Sequence, residues 1–329
     1  MDTITIRPFT QHDYPAVAAL GNAIYPDYPF SESEWRHFDT LYDGERLKMG
    51  RIVAERPDGR MLGWAQYNHW SDTYHPRKLA VEGMVHPESQ GRGVGGRLYD
   101  AVMDMMASLD PIVLWARIRE TFESGIRFME KRGFREVRRA WESRLDVAAF
   151  DPTPFTEKAA RPLQELQITT VAEERRTDPD WLGKAYDLHL EAVADAPRPD
   201  VFTPPSLEEY VKSHDENPDY LPEAHFLVRD GDRYLAESNM FRSEQLPDVL
   251  YQGFTGTRRA SRNRGLALAL KLRTVAYARV HGVREIRTWN DTLNEPMLHI
   301  NVKMGFVRQP AWITFEKRLH EESRDTAST

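Results

Sequence analysis

The sequence predicts two tandem α/β (α+β) domains, each a mixed sheet with helices on its faces. Three observations lead there. The chain has 329 residues, and at roughly 100–200 residues per domain that favours two domains. Gly93 and Gly265 stand 172 positions apart (265 − 93), and Gly133 and Gly305 repeat that offset (305 − 133). Within each half, apolar alternation gives way to helical periodicity in the same order.

The elements of the first copy follow in turn. Ile4 and Ile6 alternate with polar residues, as in a strand. Asp13 is placed to cap a helix carrying Val17, Leu20 and Ile24. Arg51–Arg56 and Met61–Tyr67 flank the turn Pro57-Asp58-Gly59 and form a hairpin. An apolar strand, Leu79–Val85, runs into a glycine-rich loop, and a helix begins near Gly95. Ile112–Ala116 is a short strand. Ser124–Arg132 is a helix that Gly133 terminates with a left-handed residue. Two strands are expected near Arg135–Arg139 and Trp141–Val147.

Residues 151–162 hold Pro152, Pro154 and Pro162 with no periodicity and read as a linker between domains 1–150 and 163–320. Residues 321–329 are polar and read as a flexible tail. The second copy repeats the order: a strand at Leu166–Val171, a helix capped by Asp180, and a hairpin around Asp230-Gly231-Asp232. Ala196–Pro205 is an additional proline-rich insertion.

Composition narrows the function. Lys plus Arg number 44 and Asp plus Glu 51, so the chain carries a formal charge of −7. That does not suit a polyanion, and no nucleic-acid partner is expected. With 40% hydrophobic residues the chain can build real cores. It has no cysteine, which excludes disulfides, cysteine-ligated metal and a thiol nucleophile. The first nine residues do not pattern as a signal peptide and no run approaches a membrane span, so a cytoplasmic protein is expected, with no membrane partner. No His-Glu-x-x-His or other metal motif occurs.

The repeated loop is the feature with chemistry in it. Gln90-Gly91-Arg92-Gly93-Val94-Gly95-Gly96 and Arg262-Asn263-Arg264-Gly265-Leu266-Ala267 each sit between a strand and a helix. The first amides of such a helix lack intrahelical partners, and the positive end of the helix dipole joins them, so an anion is attracted there. A plain glycine turn is the bland reading, which the repetition weakens. Gly91, Gly93 and Gly96 also fit a dinucleotide fingerprint, but Asp110 precedes the next strand where the ribose-binding acid should end it. A nucleotide P-loop lacks its Gly-Lys-Ser/Thr.

Gln90-x-x-Gly93-x-Gly95 and Arg262-x-x-Gly265-x-Ala267 resemble the acetyl-CoA signature of the GNAT N-acetyltransferase superfamily, and Arg7-Pro8, Gly133-Phe134 and Gly305-Phe306 are also similar to that family. The resemblance covers nearly the whole chain as a tandem. It implies twisted mixed sheets whose fourth and fifth strands splay apart around the pantetheine of acetyl-CoA, the acyl-donor substrate. Met84 and Val85 would then offer backbone groups to the pantetheine, and residues 90–96 would hold the pyrophosphate. Thr257 and residues 262–267 would do the same in the second copy, with Asn294 near the cofactor. Asn294 is equally a natural helix cap before Glu295-Pro296.

The implied reaction is direct attack by the amine of a small molecule on the thioester, which needs a base and a polarised carbonyl. Glu82, in an otherwise apolar strand, is the candidate catalytic base; a solvated or arginine-paired carboxylate is the competing reading. Its counterpart is Phe254. The tyrosine that many family members place four residues before Gly-Phe is here Met129 or Asn301, which leaves the general acid unassigned; Tyr99 and Tyr251 are near in sequence. Those substitutions motivate the alternative of a non-catalytic acyl-CoA-binding or scaffold protein. Trp64, Tyr67, Trp70 and Tyr74 could line an acceptor pocket or belong to the core. The tandem reads as a pseudo-dimer, with no oligomeric state assigned.

Overall fold

The computed structural model describes residues 4–320, so the tail expected at 321–329 lies outside the described residues. The strands and helices run in chain order as β1 (Thr5–Pro8), α1 (Tyr14–Ile24), α2 (Glu32–Thr40), β2 (Met49–Glu55), β3 (Met61–Asn68), β4 (Lys78–Val85), α3 (Val94–Met106), β5 (Val113–Arg119), α4 (Glu123–Glu130) and β6 (Arg135–Asp146). The second half continues with α5 (Thr153–Ala160), β7 (Gln167–Thr170), α6 (Val171–Thr177), α7 (Trp181–Val193), α8 (Leu207–Ser213), β8 (Phe226–Asp230), β9 (Arg233–Arg242) and β10 (Val249–Thr257). It ends with α9 (Leu266–Val280), β11 (Glu285–Asp291), α10 (Glu295–Lys303), β12 (Val307–Arg308) and β13 (Trp312–Arg318). Among the described residues no helix is long and apolar enough to cross a membrane.

Two compact units result, and the chain passes between them at Arg138–Arg139. The first unit also takes Pro199–Thr203 and residues 312–320; the second holds 139–198 and 204–311. In the first, the strands lie in the order β1-β2-β3-β4-β5-β13, with β4–β5 parallel and the other neighbours antiparallel. In the second, the order is β6-β11-β10-β9-β8-β7, with β10–β11 parallel. Each sheet is therefore finished by a strand from the other half of the sequence. β13 lies against β5 over seven residue pairs, Trp312↔Arg119 to Arg318↔Val113. The far end of β6 does the same against β11, from Ala140↔Asp291 to Asp146↔Glu285. β6 is one unbroken strand where two were expected, at Arg135–Arg139 and Trp141–Val147.

The cores explain these choices. Helix α3 covers one face of the first sheet with Val94, Leu98, Val102 and Met106, against Leu79, Val81, Leu114 and Ala116. Ile313 and Phe315 of β13 are buried in that same cluster, so β13 contributes apolar burial as well as backbone pairing. On the opposite face α1 brings Val17 and Leu20 onto Val53 and Trp64. Asp13 stands at the N-cap of α1 but makes no cap bond; its carboxylate turns back to Arg7 (2.7 and 2.8 Å) and the Thr10 amide (2.7 Å).

Residues 151–162, expected as an aperiodic linker, contain α5, which belongs to the second unit. Its prolines sit at the helix start, where a missing N–H is harmless. Phe155 then stacks on Phe150 at 5.7 Å and Ala159 is buried four residues on. The insertion 196–205 is also ordered: Asp200 pairs with Lys78 (2.7 Å) and the Thr203 amide donates to the Asp72 carbonyl (2.9 Å).

Phe315→Ala is expected to destabilise the first unit by about 3–5 kcal/mol, the usual cost of a buried phenylalanine. Hydrogen exchange should then report lost protection in β5, Val113–Arg119, although Phe315 lies about 200 residues further along the chain, in β13. Unchanged β5 protection would show that the pairing is dispensable.

Candidate functional site

The site in the first unit begins where β4 leaves β5. The two strands pair only over Lys78↔Val113, Leu79↔Leu114 and Ala80↔Trp115, and then part. β4 keeps its register with β3 to Val85. Glycines permit that close embrace: a Cβ on Gly63 would lie 2.6 Å from the Met84 carbonyl, and one on Gly83 would lie 2.9 Å from the Trp64 carbonyl. The edge of β4 from Val81 to Val85 that faces away from β3 consequently has no strand partner.

The glycine loop follows directly. Gly91 (φ 72°) and Gly93 (φ 83°) are both left-handed, and Gly93 is the N-cap of α3. No side chain caps that helix, and its first backbone bond is Arg97 N–H to the Gly93 carbonyl (3.2 Å). The amides of Val94, Gly95 and Gly96 therefore have no intrahelical acceptor. The second loop has the same backbone: Asn263 (φ 61°) takes the place of Gly91, and Gly265 (φ 84°) is the uncapped N-cap of α9. Asparagine tolerates the left-handed region better than most residues, which explains how the motif survives without that glycine.

The first residue of each loop braces the strand before it. Gln90 Nε2 donates to the Val85 carbonyl (3.1 Å) and Arg262 Nε donates to the Thr257 carbonyl (3.4 Å). Val94 and Leu266 turn their side chains into the cores, so only their backbone faces the loop. Arg92 and Arg264 are exposed. In the second loop Asp195 binds both Arg259 (2.6 Å) and Arg262 (2.8 Å), which offsets part of its positive charge. Lys271, one of the nearby cations in sequence, is not at the loop. It is buried, donates to Gln252 Oε1, and lies 4.8 Å above the Phe306 ring; burial lowers its pKa to about 7. Asn294 caps α10, its side chain accepting from the Met297 amide (3.4 Å).

Glu82 lies beside the splay, on the sheet face that α1 covers. Register places Arg51, Gln66 and Glu82 side by side across β2, β3 and β4. Arg51 donates to Gln66 Oε1 (2.7 Å), and Gln66 Nε2 donates to Glu82 (3.3 Å). Behind them Asp39 accepts two bonds from Arg51 (2.8 and 3.0 Å) and one from the Tyr14 hydroxyl (2.6 Å). Glu82 is open to water through the cleft yet surrounded by protein on its other sides. Desolvation raises its pKa, against the pull of Arg117, Arg51 and Gln66. Two tyrosines without a sequence signal also feel the Glu82 charge. Burial raises Tyr25 and Tyr42 to about 12, so both stay protonated at neutral pH.

Other sequence candidates fall elsewhere. Trp64 is core beneath α1, Tyr67 packs on the α3 side, Trp70 stacks on Trp115 (5.1 Å) and Tyr74 lies against His69. Met129 is buried, and Asn301, also buried, donates to Asn290 (2.7 Å). Tyr99 packs on Phe128 and Phe134 and accepts from Lys317 (3.2 Å); Tyr251 packs on Trp289. Among the described residues no group of three or more histidine and carboxylate side chains is arranged to hold a metal.

The second unit splays in the same way: β10 and β11 pair from Val249↔Glu285 to Gln252↔Thr288 and then part. Its chemistry differs. A bulge between Gln252 and Thr255 turns the Phe254 amide to Asn239 Oδ1 (2.6 Å). The Glu82 position carries Phe254, and Glu237 on β9 is fully buried between His189 (2.9 Å) and His225 (3.1 Å).

Comparison with known proteins agrees with this geometry. Residues 14–134 match the acetyltransferase (GNAT) family. A mycothiol acetyltransferase of Actinosynnema mirum is 24% identical over 268 residues, 80% of this chain and 82% of that protein. A GCN5-related N-acetyltransferase from Sphaerobacter thermophilus superposes with a TM-score of 0.69 at 22% identity, over 97% of this chain and 96% of that one. A tandem GNAT protein from the clavulanic acid biosynthesis pathway gives 0.72 at 16% identity, over 98% and 100%. The chain thus has the tandem GNAT fold, and its residues 14–134 match the GNAT acetyltransferase family.

Proposed function

We propose that the protein is an acetyl-CoA-dependent N-acetyltransferase that moves the acetyl group directly to the amine of a small molecule, with its chemistry in the first unit. The observation that carries this reading is Glu82: a carboxylate at the open edge of β4, beside an uncapped helix start that suits a pyrophosphate. Acetyl-CoA supplies an activated thioester. The protein's part is to hold its phosphates on the Val94–Gly96 amides, lay the pantetheine along the free edge of β4 and take a proton from the attacking ammonium at Glu82.

A raised pKa makes Glu82 a better proton acceptor than an ordinary glutamate. Once neutral, the amine nitrogen bonds to the acetyl carbon, the carbon–sulfur bond breaks and the nitrogen releases its second proton to solvent. The thiolate then takes a proton from solvent or from a cleft phenol, for which Tyr25 and Tyr42 are the candidates. With no cysteine in the chain, a cysteine acyl-enzyme has no place in this scheme.

The second unit fits a non-catalytic acyl-CoA site. Its loop backbone matches, but Phe254 replaces the base, its amide is taken by Asn239, and Glu237 is held between two histidines.

Two acetyl-CoA molecules per chain are expected by titration calorimetry. Gly93→Glu and Gly265→Glu should each remove one, since a carboxylate would occupy the anion's place and a side chain is strained at positive φ. Unchanged stoichiometry in both variants would reject the loops as the donor sites.

Glu82→Gln should lower kcat/KM by about 10²–10⁴-fold. In the wild type, kcat/KM should fall as pH drops through the raised Glu82 pKa, and that limb should disappear in the variant. Stability moves the other way. A raised folded-state pKa means the folded protein holds the proton more tightly, so ionised Glu82 costs stability above that pKa. The variant should therefore be at least as stable as wild type at neutral pH. A less stable variant that kept full activity would mark Glu82 as structural.

A further inference from the structure

The Glu82 cleft has a second charged wall. β5 continues past the splay with Arg117 and Arg119, which alternate onto the sheet face that also carries Trp115. The Arg119 side chain is only 12% exposed, and its Nε is buried without a hydrogen-bond partner. Asp27, itself 54% exposed, forms an ion pair with Arg119 at 3.6 Å, outside hydrogen-bond range. A largely buried guanidinium with one loose, solvent-exposed ion pair and an unpartnered Nε has room for a further anion to complete it.

A second unsatisfied donor stands beside it. Trp312 opens β13 directly opposite Arg119, so both side chains project from one face of the sheet. The Trp312 indole Nε1 is likewise buried with no partner. Around these donors is an aromatic box. Tyr25 lies 5.4 Å from Trp312 and 5.0 Å from Phe122, Tyr28 lies 5.8 Å from Trp312, and the Arg119 guanidinium sits 5.0 Å above the Tyr28 ring. Tyr25 links the two ends of the cleft, because its hydroxyl feels both Arg119 and Glu82.

From this arrangement we infer that the acceptor is zwitterionic, an amino acid or a closely similar amino carboxylate, whose carboxylate is received by Arg119 and the Trp312 indole while its amine faces Glu82. A carboxylate has the lone pairs to satisfy both donors at once. A neutral amide offers one acceptor oxygen and no charge, and a simple amine offers neither. The second unit lacks this pairing, since the positions matching Glu82, Arg117 and Arg119 are Phe254, Trp289 and Asp291. The inference rests on the first unit being the amine-acetylating site.

The test compares the common amino acids with their carboxamides as acceptors of acetyl-CoA, in wild type, Arg119→Gln and Arg119→Lys. Calorimetric titration of the same compounds into CoA-loaded protein provides a readout that needs no turnover. At least one amino acid should exceed its amide by tenfold or more in kcat/KM, mainly through KM. Arg119→Gln should erase that preference while leaving the amide rate and acetyl-CoA binding in place, and Arg119→Lys should restore part of it. Turnover with amides equal to acids, or equal losses on both in Arg119→Gln, would overturn the carboxylate site and leave amine acetylation standing. Amino-acid binding that depends on Arg119 but gives no acetylation would keep the carboxylate site and overturn the acetylation reading. Neither binding nor turnover of any amino acid would overturn the carboxylate site.

Discussion

The short parallel pairing of β4 with β5 is the constraint on which the rest depends. Three residue pairs hold the strands together, and beyond Ala80 and Trp115 each follows a different neighbour. β4 stays with β3, where Gly63 and Gly83 let the backbones approach within distances that side chains forbid. β5 stays with β13, along all seven of its residues. A cleft between two strands would normally close, because unpaired backbone groups seek partners. Here each strand is pinned on its outer side, so the inner edges remain open for a ligand's amides and carbonyls. The strand that pins β5 comes from the end of the chain, so the opening in the first unit is built from both halves of the sequence.

Loop and cleft belong together mechanically. The loop begins at the strand end, and Gln90 or Arg262 ties it back to the last strand carbonyl. Two left-handed residues then aim a helix start at the same opening. Both copies retain this backbone, including Asn263 in a conformation most residues avoid. The two units part company in side chains. In the first, a polar row from Asp39 through Arg51 and Gln66 reaches Glu82. In the second, an aromatic and histidine-rich interior surrounds a carboxylate with no exposure to solvent. A shared backbone with divergent side chains is what one expects if cofactor binding constrains both copies and chemistry constrains one.

Much of this was legible in the sequence because it rests on local rules. Glycine spacing, strand periodicity and the turn residues of the hairpins located the sheets, the loops and Glu82. What escaped was non-local. Nothing near Trp312 announces that its strand pairs with β5, and nothing near Trp141 announces pairing with β11, since register is set by partners far away in the chain. Pro152 and Pro154 read as breakers, yet at a helix start they are compatible with α5. Arg51 and Gln66 look like ordinary strand residues until register lines them up with Glu82. Tyr25 and Arg119 have no motif, and only the cleft joins them. Lys271 stands near the second loop in sequence, yet its side chain turns inward to Phe306.

A crystal structure of the protein saturated with acetyl-CoA tests the central claim most directly. The account predicts a pyrophosphate on the Val94–Gly96 amides, pantetheine along the free edge of β4 between Val81 and Val85, and the thioester beside Glu82. Acetyl-CoA bound elsewhere on the first unit, with the β4–β5 opening left empty, would contradict it.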